Sequence, residues 1–272
     1  MTRKNYINYY LKKYSKLMKG ITMILASAQT KPKREDIKEN LLDHYRFIEI
    51  AADNGADLIV FPEMSITGYE QEKASMLSFS PDDARLDQLS RLAVDKGITI
   101  IAGAPIRIGA ELFIGEFIIQ PDHTTTIYTK QFLHPGEEAY FQSSSHYNPV
   151  IKLDKERISL AICADIDNPI HPENAGKANS STYVASIFFS PDGIPSAHHS
   201  LSSYAREYSM NVLMANFCGE SWGQPAGGRS AFWDKDGELI VAMNDSDPGL
   251  LIVEKNNDIW TGQVINDTCT HK

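Results

Sequence analysis

The stretch "ADLIVFPEMSITGY", residues 56–69, decides how this chain is read. Leu58 to Phe61 are apolar without a break, and no polar residue alternates with them. A strand with one wet face alternates, whereas a continuous run is a strand covered on both faces. That is the habit of a sheet with packing layers above and below. The run then stops on a carboxylate, Glu63, and burying a carboxylate is costly unless it is paired.

Upstream, "ILASAQ" (24–29) has a strand's length, and "REDIKENLLDHYRFIEIAADNG" (34–55) places Ile37, Leu41, Tyr45, Ile48 and Ala52 on one helical face. Downstream, a helix is expected over about 82–96, with Gly97 as its stop, followed by the strand "ITIIAGAPIRI" (98–108). "ELFIGEFIIQ" and "TTTIYTK" read as antiparallel neighbours. "PVIKL" and "RISLAIC" flank Asp154-Lys155-Glu156 as a hairpin. A short helix, the strand "YVASIFFS", a helix over about 195–210 and the strand "NVLMAN" come next. After a Gly-rich loop (219–229), "SAFWD", "ELIVAM" and "GLLIVEK" are expected to close as a β-meander. Strand–helix–strand units with inserted hairpins predict one α/β domain with a mixed sheet.

The bulk properties bound the function. The chain has 272 residues, 42% of them apolar and 22% charged, as in ordinary globular proteins. The net charge of −9 argues against a nucleic-acid surface. No apolar run reaches the length of a membrane span. The cysteines, Cys163, Cys218 and Cys269, form neither a disulfide framework nor a CxxC site, so a reducing, cytoplasmic setting is expected. Residues 1–22 carry six Lys or Arg and no acid, and lack the apolar core of a signal peptide. They read as a basic extension ahead of a domain at 23–272. His134, His171, His198 and His199 read as ordinary surface or core histidines, and no metal is expected.

Three reactive side chains follow apolar strands: Glu63 after "LIVFP", Lys130 after "TTIYT" and Cys163 after "ISLAI". Singly, each has a structural explanation, and a free cysteine is usually buried filler. Together they form a chemical set. A thiol is mostly protonated at neutral pH and needs a base. A glutamate in a low-dielectric site can be that base. An ammonium can hold the oxyanion that forms when a carbonyl is attacked.

The motifs "VFPEMSITGY", "YTKQFLHPGEEAYF" and "LAICADIDNP" resemble those of the nitrilase superfamily, the carbon–nitrogen hydrolases. "YAREYSMNVLMAN" and "GGRSAFWDKDGEL" are similar to the family's later landmarks, so the resemblance runs from about Met23 to about Val253. It implies an αββα four-layer sandwich with mixed β-sheets, commonly paired as a homodimer or a higher homo-oligomer. It implies Glu63 as general base, Lys130 as oxyanion stabiliser, Cys163 as nucleophile, and no metal or organic cofactor. A second glutamate is implied in the "GE" segment. Glu137 fits by preceding Phe141 by four residues, and Glu138 is the adjacent alternative.

The implied activity is thioester-forming hydrolysis of a small amide or carbamoyl compound. Ala164, Asp165, Tyr69 and Glu138 are the candidates against the substrate, although Tyr69 also reads as a core aromatic. "CADIDNP" has no Arg where relatives that bind carboxylates often carry a base, which leans toward neutral or cationic amides. Two rivals remain: acyl transfer on the same fold, and a non-catalytic interaction module. The absence of a second domain argues against fused amidotransferases, and the intact Glu63, Lys130 and Cys163 argue against the module.

Overall fold

The computed structural model describes residues 21–267. The basic extension therefore lies outside the described residues except for the backbone of residues 21 and 22, and Cys269 lies outside them as well.

The chain builds two mixed sheets. The first has seven strands in the order β15-β14-β1-β2-β3-β4-β5. These are β1 (Ile21–Gln29), β2 (Leu58–Val60), β3 (Thr99–Ile108), β4 (Glu111–Ile119), β5 (Thr125–Thr129), β14 (Gly249–Asn256) and β15 (Ile259–Asn266). The second has six strands in the order β13-β12-β9-β8-β7-β6. These are β6 (Ile151–Leu153), β7 (Glu156–Ile162), β8 (Thr182–Ile187), β9 (Asn211–Asn216), β12 (Ala231–Trp233) and β13 (Leu239–Ala242). Each sheet has a parallel centre, β1-β2-β3 in one and β7-β8-β9 in the other, with antiparallel flanks.

Parallel neighbours need crossovers, and helices supply them. Helix α1 (Ile37–Asp53) joins β1 to β2, and α2 (Asp87–Lys96) joins β2 to β3. Helix α3 (Ile170–Lys177) joins β7 to β8, and α4 (Ile194–Tyr208) joins β8 to β9. Asp36 caps α1 by accepting the Glu39 N–H, and Gly97 ends α2 at φ 63°, where a side chain would be strained.

Alternation along β1 shows how the layers arise. Ile24, Ala26 and Ala28 pack under α1 and α2, while Met23 and Leu25 face the second sheet. A third cluster, including Tyr183, Ala185, Leu201 and Ala205, lies between the second sheet and α4. Three apolar interfaces make four layers, the αββα sandwich. The Ser27 hydroxyl bridges the middle interface by donating to the Met214 carbonyl at 2.8 Å.

Two expectations change. The closing strands are not one meander: β12 and β13 edge the second sheet, while β14 crosses to pair with β1. The reason is burial on both faces of β14. Leu250 and Ile252 join the helix-side core, and Leu251 and Val253 join the inter-sheet core. The loop 219–229 also holds a hairpin, β10 (Cys218–Ser221) and β11 (Gln224–Gly227). Trp222 and Gly223 at its tip both have positive φ, as a tight two-residue turn requires.

Candidate active site

The first sheet delivers Glu63 and Lys130, and the second delivers Cys163. Glu63 sits in the turn that follows β2. Ser65 N–H donates to the Pro62 carbonyl at 3.1 Å and Ile66 N–H to the Gly103 carbonyl at 3.0 Å. This turn rests against β3 because Gly103 has no side chain. A Cβ there would lie 2.5 Å from the Met64 nitrogen. Lys130 follows β5, its N–H donating to the Ile114 carbonyl at 2.9 Å. Cys163 opens a 3-10 helix, Cys163–Asp167, directly after β7 and has φ 44°. A strand that turns sharply at a positive-φ residue stores backbone strain and presents that residue at the strand's end.

Glu63, Lys130 and Glu137 are fully buried, and Cys163 is 7% exposed. Lys130 Nζ donates to Glu63 Oε1 at 2.8 Å and to Glu137 Oε1 at 2.7 Å. The Tyr69 hydroxyl also donates to Glu137 Oε1, and Gln71 Nε2 donates to that hydroxyl at 2.9 Å. Glu137 Oε2 accepts the His134 N–H at 2.7 Å. The thiol of Cys163 faces the Phe188 carbonyl at 3.8 Å. Among the described residues Glu63 Oε2 has no partner in hydrogen-bond geometry, although the Cys163 thiol acts on the carboxylate.

The electrostatics follow from burial. Desolvation pushes Glu63 up to about 7 against the pull of Lys130, with Glu137 adding to the rise. Desolvation opposes the Lys130 ammonium, but Glu63, Cys163 and Glu137 outweigh it, so the lysine is held above its ordinary value. Burial and then the Glu63 charge raise the Cys163 thiol well above its usual range, with Lys130 opposing. The set therefore holds a near-neutral base, a permanent cation and a protonated thiol in one dry space.

The second-glutamate alternatives separate here. Glu137 lies in the cluster. Glu138 is exposed and accepts the Gly136 N–H at 2.7 Å, outside that buried set. Asp165, expected against the substrate, has its carboxylate occupied by internal donors. One oxygen accepts the N–H groups of Gln131 and Phe132, both at 2.9 Å. The other accepts the Ile162 N–H at 2.9 Å and the Tyr128 hydroxyl at 2.6 Å. Asp165 thus ties the loop after Lys130 to the turn of Cys163. Tyr69 is buried with its hydroxyl on Glu137, and Ala164 is buried beside Cys163.

Sequence reading missed the support beneath Asp165. His171 Nδ1 pairs with the Tyr183 hydroxyl at 2.7 Å and Nε2 with the Tyr128 hydroxyl at 2.8 Å. The only sequence signal for Tyr128 is its place two residues before Lys130, on the same strand face. A cleft of about 590 Å³ beside the Lys130 loop is lined by Gln131, Phe132 and residues 143–146, and contains none of the cluster. Among the described residues no group of His, Cys, Asp and Glu side chains is arranged to hold a metal ion.

Two mixed sheets pack face to face under helices, with acid, lysine and thiol at strand ends between them, the frame of a carbon–nitrogen hydrolase. The sequence profile described as "Carbon-nitrogen hydrolase" matches residues 24–259, and the chain belongs to that family. An amidase from Nesterenkonia, solved as a mutant, superposes with a TM-score of 0.79 at 23% identity, covering 88% of this chain and 93% of that one. A nitrilase of Pyrococcus abyssi is 23% identical over 89% of this chain and 93% of its own length. A glutamine-dependent NAD(+) synthetase of Thermotoga maritima is 26% identical over 82% of this chain, which spans only 40% of the synthetase. No described helix is long and apolar enough to cross a membrane.

Proposed function

We propose that this chain is a thiol amidohydrolase that cleaves a non-peptide C–N bond of a small amide or carbamoyl compound through a thioester on Cys163. The observation that carries the reading is the buried Glu63–Lys130–Glu137 set at the Cys163 turn. A structure of the Nesterenkonia amidase with the acetamide moiety of fluoroacetamide added covalently at its active site cysteine supports the same role for Cys163.

Glu63 takes the Cys163 proton, and the thiolate attacks the amide carbonyl to form the C–S bond. The Lys130 ammonium and the Ala164 N–H hold the oxyanion. Ala164 lies in the first turn of its helix, where an N–H has no intrahelical acceptor. Glu63 returns its proton to the leaving ammonia or amine as the C–N bond breaks. Water, deprotonated by Glu63, then attacks the thioester, and the thiol regains its proton as the acid leaves. Lys130 must stay charged through both halves, and Glu137, anchored by Tyr69 and His134, keeps its ammonium in place.

We assign catalysis to residues 23–272, acting in the cytoplasm as a homodimer or larger assembly. The substrate is a neutral or cationic amide. That lean rests on the missing base after Cys163; the Asp165 carboxylate is engaged by four internal donors. The test is intact-mass spectrometry with a panel of amides, carbamoyl compounds and nitriles. An acyl adduct that vanishes in Cys163→Ala, with ammonia release from the wild type, is the expected result. No adduct and no ammonia across the panel would return the chain to the non-catalytic reading.

A further inference from the structure

One buried acid has no place in the cluster. Glu116 stands on β4, and its neighbours on the same face, Leu112, Ile114 and Ile118, belong to the inter-sheet core. It is fully buried, and neither oxygen has a partner in hydrogen-bond geometry among the described residues. An isolated carboxylate in such a layer is far too costly, so the group stays neutral. Burial pushes it up to about 8.

Its location is informative. The cross-strand partner of Glu116 on β3 is Gly103, and paired residues on one face stand about 5 Å apart. The direction a Gly103 side chain would take is filled by the backbone of Pro62, Glu63 and Met64. The Glu63 turn is thus the immediate neighbour of Glu116. Across the layer the Ser186 hydroxyl acts on it, and Ser186 pairs in register with Ile162, the residue before Cys163. Glu116 therefore lies between the base turn and the nucleophile strand.

The charged groups acting on it are acidic, and the Lys130 ammonium of the same layer is paired with Glu63 and Glu137. Tyr128 is its partner on β5, Asp165 acts on it from the turn after β7, and Glu63 acts on it from the turn after β2. Gly103 on β3 and Ser186 on β8 bring no charge.

We propose that Glu116 is a positioning residue acting through Glu63, an uncharged carboxyl on the floor of the site whose ionisation turns the thiol off at alkaline pH. When its proton leaves to solvent, an unpaired negative charge enters the layer where thiolate and oxyanion must form, and both are opposed. The proposal rests on the reading of Glu63 as base and Cys163 as nucleophile.

The test is the rate of Cys163 alkylation by iodoacetamide, read by peptide-mapped mass spectrometry from pH 6.5 to 9.5. It is run on the full chain and on Glu116→Gln and Glu116→Met, with melting curves as a check of folding. Because alkylation needs no turnover, it is independent of which amide is the substrate. In the wild type the rate levels off and then falls above about pH 8, and the variant-to-wild-type ratio climbs on the order of tenfold across the range, the effect of about one pK unit of coupling. A merely structural glutamate would give a flat ratio, which overturns the proposal. A wild-type rate that climbs steadily to pH 9.5 overturns it as well, whether or not the variants fold. No alkylation at any pH would remove the nucleophile reading and this inference with it, a result distinct from a flat ratio.

Discussion

Cys163 and Cys218 are both buried, both unpaired and both next to central strands. Burial raises both thiols, Cys218 to about 12. Their surroundings separate them. Cys218 meets the Thr30 carbonyl at 3.6 Å, and its main charged influences are Lys31 and Asp247. Cys163 faces a fully buried glutamate and a fully buried ammonium, and its own backbone is bent to φ 44°. Burial alone makes a thiol inert. In the proposed mechanism, what makes one reactive is a base and a cation buried with it, since neither can be drawn off by water.

The largest test of that difference is Cys163→Ala, expected to lower turnover on the order of 10⁴-fold or more. Residual turnover within tenfold of wild type would erase the contrast. Glu63→Gln comes next, with a loss of roughly 10²- to 10⁴-fold, the range for removing a general base. In the proposed mechanism, Glu63 must be ionised to accept the thiol proton. Its carboxyl is raised to about 7, so kcat/KM should fall as pH drops below 7, roughly tenfold per unit. An acidic limb centred near 4.5 would show that burial does not set the base.

Asp165→Ala sharpens the comparison by loosening only the Cys163 side. Three N–H groups and one hydroxyl lose their acceptor, costing about 3 kcal/mol or more of stability. Misplacing the thiol relative to Lys130 should cost about 10² in kcat. Denaturant melts and steady-state rates measure the two effects separately. The smallest effect is reserved for Cys218→Ala, about 1 kcal/mol of stability and unchanged turnover. In mapped alkylation of the folded protein, Cys163 should be labelled well before Cys218.

Much of this was legible in the sequence because burial on both faces leaves unbroken apolar runs. β2, β3, β7 and β9 announce themselves in that way, and the residues just past β2, β5 and β7 are the ones brought together in the buried cluster. What was hidden lacks that signature. β15 is largely exposed and reads as a polar tail, Thr261 and Gln263 included. β14 looks like the end of a meander because nothing local says which sheet will cover its two faces. Asp165 is expected against the substrate because it lies two residues after Cys163. Only the fold reveals that its carboxylate turns inward to four donors. Glu116 was hidden inside "ELFIGEFII", where one acid looks like ordinary alternation.

The bridge from Ser27 to Met214 gives the sandwich a fixed thickness, since packed sheets stand roughly 10 Å apart. Glutamate and lysine reach into that gap from one side, while the cysteine on the other side has a single methylene. Side-chain length therefore serves as a ruler, and Glu63→Asp, one carbon short, would leave the chemistry intact and the reach wrong. An enzyme assembled this way reads out its own interlayer spacing. Whatever pries the two sheets apart, by heat, pressure or a wedge-shaped core residue, should silence it before it unfolds.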